Sequence, residues 1–294
     1  MSNSAEKGIL LVGLPKAGKT TFVAALWHVL NSEEITDSLR LSVLGGDDTY
    51  LNQIRDEWLN YQEVIRTTQQ NEAIPTMHLV DKSGQLKCAL SVPDLSGETY
   101  VSQWLDREWS DKFAAAARGA SGILVFIHPN QPLEAPEITT TMRMLAPFPE
   151  EESSSEDPVD EAVWDPERAA GIVQLVEVLQ FLQKNLHRPL RIAVMVSAWD
   201  LIKARYATPQ EFIRTRTPLL EQYMRTNGDT LNFTVFGVSA LGGDLESKTD
   251  TDRLQNETAC ASDRIEVVPS TAENLHDITR PLRWALSWPE GESA

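Results

Sequence analysis

The stretch "GILLVGLPKAGKTTFVAAL", residues 8–26, decides the fold. Its centre, Gly13 to Thr20, has the spacing G-x-x-x-x-G-K-T. A short apolar run before it reads as a buried strand and a helical pattern follows it, which is the context that gives this spacing its meaning. The loop Gly13, Leu14, Pro15, Lys16, Ala17 and Gly18, with Lys19, Thr20 and Thr21 at the helix start, then makes an anion nest from the backbone N–H groups of its residues other than Pro15, which has none, and from the positive helix end. In such a loop Lys19 reaches the β- and γ-phosphates and the Thr20 hydroxyl is placed to ligate magnesium.

Working outward, four more apolar runs read as buried strands, each followed by a turn signal: residues 86–94, 122–129, 190–197 and 232–239. Helical patterns alternate with them, at Lys19 to Leu30, Thr99 to Arg118, Ala162 to Asn185, Thr208 to Asn227 and Asn274 to Trp288. This alternation predicts an α/β fold, a three-layer sandwich around a mostly parallel sheet. One strand must run antiparallel, because "TMHLV" (Thr76 to Val80) is joined to "QLKCALSV" (Gln85 to Val92) only by the turn "DKSG". Residues 39–64 read as a short strand and an amphipathic helix, within an inserted segment taken as 31–68. Residues 130–163, acidic and proline-rich, and residues 242–272, polar, read as loop insertions, and residues 273–289 as a C-terminal helix. The whole chain, 1–294, is expected to be one domain with these insertions.

The formal charge of −17 gives an overall field that repels nucleic acid and anionic membrane surfaces, so any polyanion site must be local. No apolar run approaches the 18 or so residues of a membrane helix, and "MSNSAEKG" has no signal core. Two cysteines, Cys88 and Cys260, are too few for a disulfide framework, which favours a reducing cytoplasm. His28, His78, His128, His187 and His276 have no metal-ligand spacing and read as structural or exposed.

Further chemistry is expected at strand ends, where ligands sit in such sheets. In "SVPDLSGE" an apolar strand ends in Asp94, placed to hold the magnesium shell, and Gly97 offers a γ-phosphate an N–H with no side chain in the way. "VSAWD" puts Asp200, after Ser197, where a carboxylate accepts the N1 and 2-amino hydrogens of guanine. "VSAL" puts the backbone N–H groups of Ser239, Ala240 and Leu241 where they meet guanine O6. Taken in order, the two motifs favour guanine over adenine.

With GLPKAGKT, the hairpin, DLSG, SAWD and VSAL in this order across residues 8–241, the chain resembles the Ras-like GTPases of the translation-factor superclass. Within it, the inserted segment ending "RTT" (Arg66 to Thr68), the form "PDLSGE" and the terminal "RPLRWALSW" (Arg280 to Trp288) look most like the bacterial double-GTPase proteins of conflict and antiphage systems. The resemblance implies a P-loop GTPase switch using GTP, GDP and magnesium, acting through an effector, a second GTPase or a second copy of itself. It implies a magnesium-sensing threonine in the first switch, where Thr67 or Thr68 fits the hairpin geometry better than Thr76. Arg66 is a candidate arginine finger in cis or a helix-end arginine.

Three departures matter. Ala198 stands where the family's base motif has a lysine whose stem covers the guanine plane, and Trp199 beside it reads as core. Glu98 replaces the glutamine that orients the attacking water, and its charge opposes the γ-phosphate, so slow hydrolysis is expected. Lys16 stands where related loops carry an asparagine that binds potassium; its ammonium either supplies that charge, reaches a partner's nucleotide, or is merely solvated. A nucleotide-binding module with little turnover, and an ATPase, are the competing readings.

Overall fold

A computed structural model describes residues 7–64, 76–91, 103–131, 169–245, 247–257, 259–269 and 275–287. Among them eight strands form one sheet in the order β2-β3-β4-β1-β5-β6-β7-β8. The strands are β1 (Lys7–Gly13), β2 (Arg40–Gly45), β3 (Thr76–Val80), β4 (Lys87–Ser91), β5 (Ala120–Ile127), β6 (Leu190–Ser197), β7 (Leu231–Ser239) and β8 (Glu266–Val268). The central five, β4-β1-β5-β6-β7, are mutually parallel. They are apolar on both faces because helices cover both.

Alternation along β1 shows how the layers form. Ile9 and Leu11 face a layer containing α1 (Lys19–Ser32) and α2 (Thr49–Leu59), where Phe22, Leu26, Ile54 and Trp58 are buried. Leu10 and Val12 face the other layer, built from α3 (Asp111–Gly119), α4 (Gly171–Leu186), α5 (Pro209–Arg216) and α6 (Pro218–Thr226). The three-layer sandwich and its mostly parallel sheet follow the expectation.

The hairpin also forms as expected, with Val80 opposite Lys87 and Met77 opposite Leu90. Asp81 organises its turn, accepting hydrogen bonds from Leu86 N at 2.8 Å and from the Ser83 hydroxyl at 2.5 Å. Thr76 is the first residue of β3 and pairs with Gly45 of β2. The inserted segment supplies β2 and α2, as the pattern at 39–64 suggested.

Several expectations need revision. Residues 242–272, read as a polar loop, contain α7 (Lys248–Glu257), a 3-10 turn at Ala261–Arg264 and β8, which pairs antiparallel with β7 and gives the sheet a second antiparallel strand. The pattern at 208–227 breaks into α5 and α6 at Thr217, because Pro218 has no N–H to continue α5 and is suited to the first position of α6. The terminal helix is shorter than 273–289: α8 spans Arg280–Ala285, since Leu275 is taken up in a bridge to Val267 and Pro281 sits in the first turn.

α8 closes the sheet at the amino ends of its strands. Lys7 donates to the Leu286 carbonyl at 2.7 Å, and Arg191 donates to the Trp284 carbonyl at 2.9 Å while lying over the indole ring. The carboxyl ends, on the opposite side, are left for the site.

Candidate nucleotide site

β1 ends at Gly13, the chain turns through Leu14 to Gly18, and α1 begins at Lys19. Two residues of the loop hold left-handed backbone, Lys16 at φ 64° and Gly18 at φ 89°. Gly18 is required twice over. Its φ disfavours any side chain, and a Cβ there would lie 2.9 Å from the Ser197 Cβ. The phosphate loop therefore packs directly on the end of β6, where the base motif starts.

Lys19 is buried, 2% exposed, and its ammonium donates to the carbonyls of Gly13 at 2.6 Å and Leu14 at 3.0 Å. The side chain thus curls back inside the loop it follows. The first N–H groups of α1 have no partner within the helix by geometry, so the helix start presents donors and the positive end of its dipole. From the segment after β5, the strand next to β1, the Gln131 side-chain amide donates to the Pro15 carbonyl.

A cavity of about 470 Å³ opens on this loop. It is lined by Lys16, Ala17, Gly18, Lys19, Thr20 and Thr21 of the loop and α1 together with Ser197, Ala198, Asp200, Ala240 and Leu241 from the ends of β6 and β7. Two segments that the sequence analysis placed at separate strand ends are thus brought to one hollow. Gly13, Leu14 and Pro15, the strand end and the start of the loop, are not among its lining residues. Ser239 does not line it but works from behind: buried, it accepts from Gly242 N at 2.9 Å and gives a hydrogen bond to Asp200.

Burial raises the pKa of Asp200, opposed in part by the Ser239 hydroxyl, its own backbone N–H and Lys203. Nearby His128, at the end of β5, is lowered by burial in spite of the Asp200 charge. Ala198 adopts left-handed backbone at φ 46°, an uncommon conformation for alanine, and starts the 3-10 turn Trp199–Leu201 that presents Asp200. Trp199 is core, as expected: it lies under Gly237, where a Cβ would come within 2.6 Å of the indole.

Some lining residues were not anticipated. His128 and Asn130 come from the end of β5, Glu63 and Val64 follow α2, and Gly243, Asp244 and Leu245 follow the base loop. The strand-end rule could have found His128, which directly follows a buried strand. Arg66, Thr67, Thr68, Asp94, Gly97 and Glu98 lie outside the residues described. Among the described residues, no three His, Cys, Asp or Glu side chains converge as a metal cage. No helix among them is long and apolar enough to cross a membrane.

A glycine loop between a strand and a helix, joined in one hollow to a half-buried aspartate after β6 and a turn after β7, defines a P-loop nucleotide-binding protein with GTPase-type motifs. The Double-GTPase 1 family model matches residues 10–285, and the chain belongs to that family. Membership supports GTP binding and, as the activity of the class, GTP hydrolysis. No curated protein matches the chain. Among solved structures, the crystal structure of nucleolar GTP-binding protein 1 from Plasmodium falciparum is similar at 13% identity, with 86% of this chain and 88% of that chain covered and a TM-score of 0.37.

Proposed function

We propose that the protein is a guanine-nucleotide switch that binds GTP with magnesium and hydrolyses it slowly to GDP and phosphate. The observation that carries this is the single cavity joining the Lys16–Thr21 loop to Asp200, Ala240 and Leu241. In this reading the loop N–H groups cradle the β-phosphate, and Lys19 exchanges its carbonyl partners for phosphate oxygens. Asp200 then accepts from guanine N1 and N2, and the Ala240 and Leu241 N–H groups meet O6.

Magnesium is commonly held by one or two protein oxygens together with nucleotide phosphates. The Thr20 hydroxyl, lining the cavity at the start of α1, fits that role, and Asp94 with Thr67 or Thr68 are proposed to complete the set. When bound, the ion would offset phosphate charge. Lys19 holds the same charge from the loop side as water attacks in line, with Lys16 and Arg66 as further candidate cations. Gly97 is proposed to contact the γ-phosphate, and Glu98 to slow the reaction through repulsion.

Ala198 leaves one guanine face without the usual lysine stem, so the residues that hold base contacts in place bear more of the selectivity. Action through an effector, a second GTPase or a second copy, in a bacterial defence or conflict system, rests on the resemblance given above, and a cytoplasmic setting rests on the low cysteine count.

The test is multiple-turnover phosphate release from GTP and ATP with magnesium, at low and high protein concentration. A GTP-selective rate that rises faster than protein concentration is expected. Equal rates for both nucleotides overturn the guanine assignment, and tight GTP binding without release at any concentration replaces the enzyme with a binding module.

A further inference from the structure

The inserted helix α2 reaches the base end of the cavity through one side chain. Trp58 is fully buried, and its indole N–H donates to the carbonyl of Ala240 at 2.8 Å across a separation of 182 residues. Arg264 clamps the tryptophan from the other side, with its guanidinium 3.6 Å from the ring centroid and an N–H donated to the Trp58 carbonyl at 2.6 Å. The same guanidinium lies 4.7 Å from the Tyr61 ring, and the Tyr61 hydroxyl donates to the Leu254 carbonyl of α7 at 3.2 Å. On the far side of the base loop, Gly242 has φ 82°, and a Cβ there would stand 2.5 Å from the Arg264 carbonyl oxygen. The loop from Ala240 to Gly242 is therefore gripped at both ends by Trp58 and Arg264.

A trans peptide carries its C=O and N–H on opposite sides. Holding the Ala240 carbonyl towards Trp58 turns the Leu241 N–H the other way, and Leu241 lines the cavity whereas Trp58 does not. We infer that Trp58 is a positioning residue for guanine selectivity: its indole N–H fixes the peptide plane that aims the Leu241 N–H at guanine O6. The inference rests on the guanine assignment of the cavity made above. It also gives the inserted segment a role, since Glu63 and Val64, a few residues beyond Trp58, line the same cavity. Adenine offers a 6-amino group where guanine offers an oxygen, so a misaimed N–H harms GTP and leaves ATP nearly unchanged.

The test compares GTP and ATP dissociation constants for the wild type and for Trp58→Phe, which keeps an aromatic ring and removes the donor. One lost hydrogen bond of ordinary strength predicts a GTP preference reduced about fivefold, with ATP affinity within twofold of wild type. A wild type that prefers GTP with a variant that keeps that preference overturns the assignment alone. Equal losses for both nucleotides overturn it too, by reducing Trp58 to packing. A wild type that binds both nucleotides alike overturns the guanine assignment first and this one with it. Should the variant not fold, hydrogen exchange on the wild type decides: GDP is expected to slow exchange in the segment around 55–64 relative to ADP at equal occupancy, and identical protection by both overturns the inference.

Discussion

The two ends of the cavity are built in opposite ways. The proposed phosphate end is one continuous stretch, Lys16 to Thr21, whose shape is set by the turn through Lys16 and Gly18. The base end is assembled from the ends of β6 and β7, a helix inserted far upstream, and Arg264 far downstream. A local site survives as long as its own turn can form. A composite one depends on the packing of the whole sheet, and it is there that selectivity can be lost while phosphate binding persists.

Lys19→Ala breaks this contrast from the phosphate side. It is expected to weaken GTP and ATP alike by about a hundredfold or more, measured by calorimetric titration, since the ammonium contacts neither base. Asp200→Asn acts from the other side, with a loss of roughly thirtyfold for GTP and little change for ATP. The same substitution should raise the melting temperature of the ligand-free protein at neutral pH. Burial raises the Asp200 pKa in the folded state, so its contribution to stability is full below the unfolded value and is lost as pH rises through the folded value. At neutral pH the carboxylate is therefore a cost to the empty fold, which asparagine removes.

Gly18→Ala strikes the seam between the two ends. Its strained backbone and the crowding against Ser197 predict a loss of about 2 kcal/mol, seen as a melting point lower by several degrees, with both nucleotides weakened together. The smallest effect is one of pH. In the proposed reading guanine needs the ionised Asp200, so as pH is lowered GTP affinity should begin to fall before the ordinary carboxylate range is reached, by about twofold at the raised midpoint, while ATP affinity and the Asp200→Asn variant show no such slope.

The same contrast governs what the sequence disclosed. The loop, the buried strands and the hairpin are local patterns of spacing and hydrophobicity, and each was readable in a few consecutive residues. β8 was not, because three residues at a sheet edge, Glu266–Val268, carry too little periodicity to stand out from a polar stretch. Nor was the break at Pro218, whose flanks continue one amphipathic pattern. The motif SAWD announced Asp200, but not that Ser239 braces it or that His128 shares the cavity, since those relations exist only once β5, β6 and β7 lie side by side. The Trp58 to Ala240 bond is the extreme case: neither residue belongs to a motif that names the other.

Folding ties the buried Lys19 ammonium to the carbonyls of Gly13 and Leu14 before any ligand arrives. In the proposed reading, a phosphate entering the loop meets a cation already aimed, and has to displace the Gly13 and Leu14 carbonyl oxygens from it. Without nucleotide, the fold carries the cost of a largely buried charge hydrogen-bonded to these neutral carbonyls. Swift capture of phosphate and a less robust empty protein are thus two outcomes of the same enclosure.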